Sequence, residues 1–197
     1  VQCVHTASRL IKDNRGLHYT RSAMPDDPFA MLGLPRSFDL ERSEIRRAYL
    51  ERVTPLQGGG DEGRIAELNR ARAALEDHEQ RANVLLEALG GPGREQDRTL
   101  PDGFLERMLE VNERVEAAVS GTDQPEIHRL LDEAEARREG HIRRVGELFA
   151  GLAGPARGGE PGRAEATLRE VRRELNAWRY IERLIERLER AEGSELL

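Results

Sequence analysis

The side chains of this chain that are able to do chemistry are few and widely spaced. His78, His128 and His141 stand far apart, and none has a second ligand-type residue at a spacing that holds a metal. His128 and Asp132 are four residues apart, as are Arg137 and His141, but such pairs are commonplace on helix surfaces. The single cysteine, Cys3, excludes an internal disulfide and any cysteine-cluster metal site. Gly58-Gly59-Gly60 and Gly90-Gly91-Pro92-Gly93 lack the lysine and the strand-then-helix setting of a phosphate loop. Carboxylates are so abundant that paired acids arise by chance. The expectation is a protein that is not an enzyme and carries no metal and no cofactor of its own.

Binding is therefore the function to look for, and composition limits its kind. A net charge of −6 disfavours nonspecific nucleic-acid binding. No apolar stretch approaches the roughly 20 residues of a membrane span. Aromatic residues make up 4% and apolar residues 38%, against 35% charged, so the core must be thin and aliphatic. That balance suits helices that each bury one stripe, and no run alternates as a half-buried strand does.

Residues 1–23 differ from the rest. They hold the only lysine, Lys12, with Arg9, Arg15 and Arg21 against the single acid Asp13. The preferred reading is a disordered leader or an upstream translated segment ahead of Met24, in a cytoplasmic protein. An organelle transit peptide, hence a mitochondrial location, is the alternative.

After a short opening helix, four longer segments show helical periodicity. About Leu40 to Val53, the residues Ile45, Tyr49 and Val53 share one face with Leu56, and Asp39 is the expected N-cap. About Arg64 to Leu89, a second helix turns Ile65, Leu68, Leu75, Ala82, Leu86 and Leu89 inward, and Gly90-Gly91-Pro92-Gly93 ends it. The polar stretch from Gly90 to Thr99 reads as a domain boundary, dividing residues 24–92 from residues 93–197. Three helices follow, at about 101–119, 125–152 and 163–191. The first aligns Phe104, Met108, Val111, Val115 and Val119, and Thr122 or Asp123 caps the second. The last aligns Leu168, Val171, Leu175, Trp178, Ile181, Leu184, Ile185 and Leu188. Three such helices bury their stripes together as an antiparallel bundle.

The order of Asp27-Pro28-Phe29 with Leu32-Gly33-Leu34-Pro35, of Leu68-Asn69 with Ala71, and of Arg81-Ala82 with Leu85-Leu86 resembles the HscB family. These are the J-type co-chaperones of iron–sulfur cluster assembly. The resemblance implies an all-α fold: a J-domain helical hairpin, here degenerate, followed by a three-helix bundle. It implies two partners, an Hsp70-type chaperone for the J-domain and the cluster scaffold protein for the bundle. Arg46 and Arg47 match the part of the first long helix where J-domains place basic contacts. Where the family carries His-Pro-Asp, this chain reads Gln57-Gly58-Gly59. That loss removes the charge and the rigidity through which Hsp70's ATP hydrolysis is triggered, so stimulation is expected to be weak or absent.

For the scaffold protein, the resemblance points to an apolar patch edged by acids. Leu105 and Leu109 match it, flanked by Glu110 and Glu113, with Tyr180 supplied by the last helix. Glu106 stands where relatives often carry another apolar residue. The competing reading is a helical structural protein that kept the fold and lost both partners, with the two leucines buried between helices. Exposure of the Leu105/Leu109 face separates the two readings.

Overall fold

The computed structural model describes residues 27–153 and 162–193, so the segment 1–23 read as a leader lies outside the described residues. Seven α-helices and no strand occur among them: α1 (Pro28–Leu32), α2 (Arg42–Val53), α3 (Glu62–Glu76), α4 (His78–Ala88), α5 (Phe104–Ser120), α6 (Gln124–Ala153) and α7 (Arg163–Gly193). A 3-10 turn, Thr54–Leu56, extends α2.

Local chemistry fixes the ends. The Asp27 carboxylate accepts a hydrogen bond from the Phe29 amide at 3.0 Å, with Pro28 at the first helical position. Arg36 donates to the other Asp27 oxygen through Nε and Nη2, at 3.0 and 2.7 Å, which pairs a buried carboxylate. Gly33 closes α1 at φ +62°, a conformation that glycine adopts without steric cost.

Two boundaries differ from the sequence reading. The N-cap of α2 is Glu41 rather than Asp39, and the Glu41 amide donates back to the Glu44 carboxylate at 3.1 Å. The single helix expected from Arg64 to Leu89 is two helices. Asp77 adopts an extended conformation between them, and its carboxylate accepts from the Gln80 amide at 2.7 Å. An aspartate followed three residues later by glutamine is a helix-start signature, here lodged inside an unbroken apolar pattern.

Two apolar cores form. The second joins Phe104, Met108, Val111 and Val115 of α5 to the first half of α6 and the second half of α7, and is the expected antiparallel bundle. The first holds the apolar residues of α1–α4. It also takes in Val145, Leu148 and Phe149 of α6 and Leu168, Val171, Leu175 and Trp178 of α7. The cause is length: α6 and α7 have 30 and 31 residues, about 45 Å each, whereas the 17 residues of α5 reach about 25 Å. The overhanging hairpin of α6 and α7 is covered by the N-terminal helices instead.

Specific contacts reinforce this seam. The Phe38 and Phe149 rings lie 5.7 Å apart, and Arg172 of α7, itself buried, donates to Asn83 of α4 at 2.8 Å. The Asn176 amide donates to the carbonyls of Asp97 and Thr99 at 3.1 and 2.9 Å, tying the Gly90–Thr99 connection to α7. The Asp97 carboxyl is held below its usual range by hydrogen bonds from the Thr99 hydroxyl and amide.

Candidate protein-binding face

The core stripe of α5 determines what α5 presents to solvent. With Phe104, Met108, Val111 and Val115 turned inward, residues 105 and 109 fall on the outer surface of the helix. Leu105 is 56% exposed and Leu109 63% exposed. Both therefore add nothing to the bundle core, and each leaves its apolar surface in water.

Around them the charge has one sign. Glu106, Glu110 and Glu113 are all exposed, and none forms an ion pair among the described residues. The contrast with the opposite flank of α5 is sharp. There Arg114 bonds Glu133 at 3.0 Å through both terminal nitrogens and Glu126 at 3.1 Å. Those bonds raise the Arg114 pKa and hold the Glu133 carboxyl below its usual range. The acids on the leucine side of α5 are left to solvent, while those facing Arg114 are spent on fixing α5 to α6.

Tyr180 of α7 is 43% exposed, and its ring meets the buried Phe104 ring edge-on at 5.7 Å. Phe104 precedes Leu105, so Tyr180 stands at the N-terminal end of α5, next to the leucine-bearing turn. The resemblance named Leu105, Leu109, Glu110, Glu113 and Tyr180 as the expected binding residues but did not foresee Phe104 as the residue that seats the tyrosine. Its place in the core stripe gave no signal of that second contact.

Behind this face lies a cleft of about 340 Å³ between α5, α6 and α7. Phe104, Met108, Val111 and Ile181 give it apolar walls, and Gly140 lines it without filling it: a methyl there meets no atom within 4 Å. On its wall His141 Nδ1 and Glu174 pair at 2.8 Å. A second cleft of similar size lies beside Phe38, Ile45 and Arg81. His128 pairs with Glu192 at 2.7 Å, and His78 packs near Phe38, its pKa lowered by burial and by Arg81. Each of the three histidines among the described residues is thus engaged in a different place. Among the described residues no three candidate ligands gather as a metal site.

Arg46 and Arg47 lie exposed on α2 without ion-pair partners among the described residues, and Leu50 between them and the loop is 47% exposed. Sequence reading overlooked Leu50, although it sits off the Ile45/Tyr49/Val53 stripe among arginines. The loop beyond, where the resemblance leads one to expect His-Pro-Asp, is shaped by its glycines. Gln57 is extended at φ −68°, but Gly58 has φ +93° and Gly60 φ +79°. Proline is locked near φ −65°, so position 58 as built does not admit the proline of His-Pro-Asp. Gln57, Gly58 and Gly59 are all exposed, and only backbone is offered at the last two.

Residues 100–189 match the model of the HSCB C-terminal oligomerisation domain, which covers the bundle and the whole of α5. A co-chaperone protein HscB homolog of Burkholderia thailandensis is 28% identical over 156 residues, covering 73% of this chain and 86% of that relative. In fold, the chain resembles the human co-chaperone protein HscB, with a TM-score of 0.65 at 16% identity, over 96% of this chain and 93% of that one. It likewise resembles the chaperone HscB from Vibrio cholerae, with a TM-score of 0.60 at 18% identity, over 87% and 99% of the two chains.

Proposed function

We propose that the chain is a member of the HscB family and serves iron–sulfur cluster biogenesis as a co-chaperone or adaptor that holds the cluster scaffold protein on the outer face of α5. The observation that carries this reading is the exposure of Leu105 and Leu109 beside Tyr180, with Glu110 and Glu113 unpaired at their edge. Leucines left in water weaken no contact within the fold and gain free energy only when a partner covers them. The carboxylates orient that partner and speed its encounter. Glu106 narrows the apolar area and lowers the affinity this face can reach.

Its mechanism is recruitment and positioning. Arg46 and Arg47 offer charge to an Hsp70-type chaperone, but Gln57-Gly58-Gly59 supplies no imidazole, no carboxylate and no fixed turn. Ordering such a loop on a partner also costs more conformational entropy than ordering a rigid one. Stimulation of ATP hydrolysis by this chain is therefore weak or absent, and its contribution lies in holding the scaffold.

Titration calorimetry of the full chain against the scaffold protein of its own organism tests this. The Leu105→Ala/Leu109→Ala variant loses about 2–3 kcal/mol of binding, roughly 30- to 150-fold in Kd. Because both leucines are exposed, its circular dichroism and melting temperature stay those of the parent. Equal binding by the variant, or none by the folded parent, ends the proposal.

A further inference from the structure

The cleft between α5, α6 and α7 has two arginines on its lining, Arg107 and Arg137, and one carboxylate, Glu174. That carboxylate is already paired with His141 Nδ1 at 2.8 Å. The cleft of similar size beside Phe38 is different, with three acids, Asp39, Glu41 and Glu76, set against Arg42 and Arg81. Arg137 is the centre of interest. Its Nη1 is buried and makes no hydrogen bond among the described residues. The buried Nε atoms of Arg72, Arg81 and Arg172 also lack an acceptor, but those guanidiniums are engaged elsewhere: over the Tyr49 ring, at the Leu40 carbonyl and at Asn83. Arg137 has only Glu133, 3.8 Å from its Nη2, and Arg114 already bonds that carboxylate through both terminal nitrogens at 3.0 Å. A charged N–H shut off from water without an acceptor is costly, so an acceptor brought to it is strongly favoured. We propose that this cleft binds a small organic carboxylate with an apolar body, its carboxylate on Arg137 and its hydrocarbon against Phe104, Met108, Val111 and Ile181.

Each part of this ligand has a counterpart in the cleft. The planar guanidinium fork matches a carboxylate in two hydrogen bonds, which a point charge does not. Arg107, whose hydrogen bond to the Asp102 carbonyl is long at 3.4 Å, adds a second positive charge on the α5 side. Space for the ligand is held open by Gly140, which follows Arg137 by three residues on the same face of α6. Glycine weakens a helix interior, yet a methyl group at this position would meet no atom within 4 Å. The sequence therefore keeps a cavity that alanine would begin to fill. At about 340 Å³ the cleft stands at the small end of small-molecule sites, roughly 300–1,000 Å³, which suits one short free acid and excludes a folded partner. The walls are the inner side of α5, whereas Leu105 and Leu109 are on its outer side, so this site does not depend on the scaffold reading.

Titration calorimetry of the full chain with octanoate tests the site. Octanoate binds one to one with a Kd on the order of 0.1–1 mM. Octanol, which keeps the tail and lacks the charge, and acetate, which keeps the charge and lacks the tail, each bind at least about tenfold more weakly. Two variants locate the site. Arg137→Met keeps the apolar stem, removes the guanidinium and weakens octanoate at least about tenfold. Gly140→Leu puts a side chain into the cleft and abolishes octanoate binding, while the helix content by circular dichroism stays that of the parent. Arg137→Met decides the matter alone if the leucine variant fails to fold. No binding of octanoate by the parent overturns the proposal. So does octanol binding as tightly as octanoate, and so does parental affinity in Arg137→Met. The dipeptide acetyl-Leu-Leu, run beside octanoate, separates a free acid from the carboxyl end of a protein: tighter binding of the dipeptide overturns the free acid as occupant.

Discussion

The outer face of α5, proposed above to hold the scaffold protein, and the loop from Gln57 to Gly60, where the resemblance leads one to expect His-Pro-Asp, are built from opposite materials. The α5 face puts two leucines and three carboxylates on a helix whose inner side is locked into the bundle core. The loop puts two left-handed glycines on a turn held by long backbone hydrogen bonds, Gln57 to Thr54 and Gly59 to Leu56, both 3.3 Å. A partner arriving at α5 finds side chains already in position; at the loop it must order backbone before making any contact. The two surfaces thus differ in what they require of a partner, and only one of them is preorganised.

The largest predicted effect tests whether the two regions nonetheless share one folding unit. Trp178 is 2% exposed and sits in the core that joins the N-terminal helices to α6 and α7. Trp178→Ala costs about 3–5 kcal/mol. By thermal unfolding the midpoint drops about 10 °C, and helix loss remains a single transition. Two separated transitions would show that the regions are independent.

Next in size is an attempt to erase the difference. Replacing Gln57-Gly58-Gly59 with His-Pro-Asp puts proline where φ is +93°, so the graft costs at least about 1 kcal/mol and does not restore ATPase stimulation. Single-turnover hydrolysis by the cognate Hsp70 reads the outcome directly. Full stimulation by the graft would mean that side chains alone, and not the backbone, keep this loop from acting as a His-Pro-Asp loop.

The smallest effect sharpens the rigid side of the comparison. Gly140 lies within α6 where a methyl group meets open space, so Gly140→Ala stabilises the fold by about 1 kcal/mol. Chemical denaturation checks it, with scaffold affinity unchanged. A loss of affinity would show that the cleft behind α5 takes part in binding.

How far the sequence could be read depended on how much each feature relies on local pattern. All eight residues expected to line α7 are buried, since 31 residues of helix repeat the stripe many times over. The break at Asp77 was hidden because Leu75 and Ala82 keep helical spacing across it. The cap at Glu41 was missed because glutamate is a poor N-cap by type, and only its partner Glu44 gives it away. Leu105 and Leu109 were identified, but their exposure depended on which side of α5 faces the bundle. The shared core lay furthest from view. Val145, Leu148 and Phe149 continue the α6 stripe without a change of period, and nothing in their spacing says that a different set of helices covers them.

That shared core also constrains how the molecule could have evolved. With seven of its apolar side chains supplied by α6 and α7, the N-terminal half cannot be cut out at the Gly90–Thr99 connection and carried elsewhere as a module. A bundle expressed alone from residue 93 would present Val145, Leu148, Phe149, Leu168, Val171, Leu175 and Trp178 to water, and would aggregate. Recombination that swapped in an N-terminal half with an intact His-Pro-Asp loop would have to bring a matching α6–α7 tip with it.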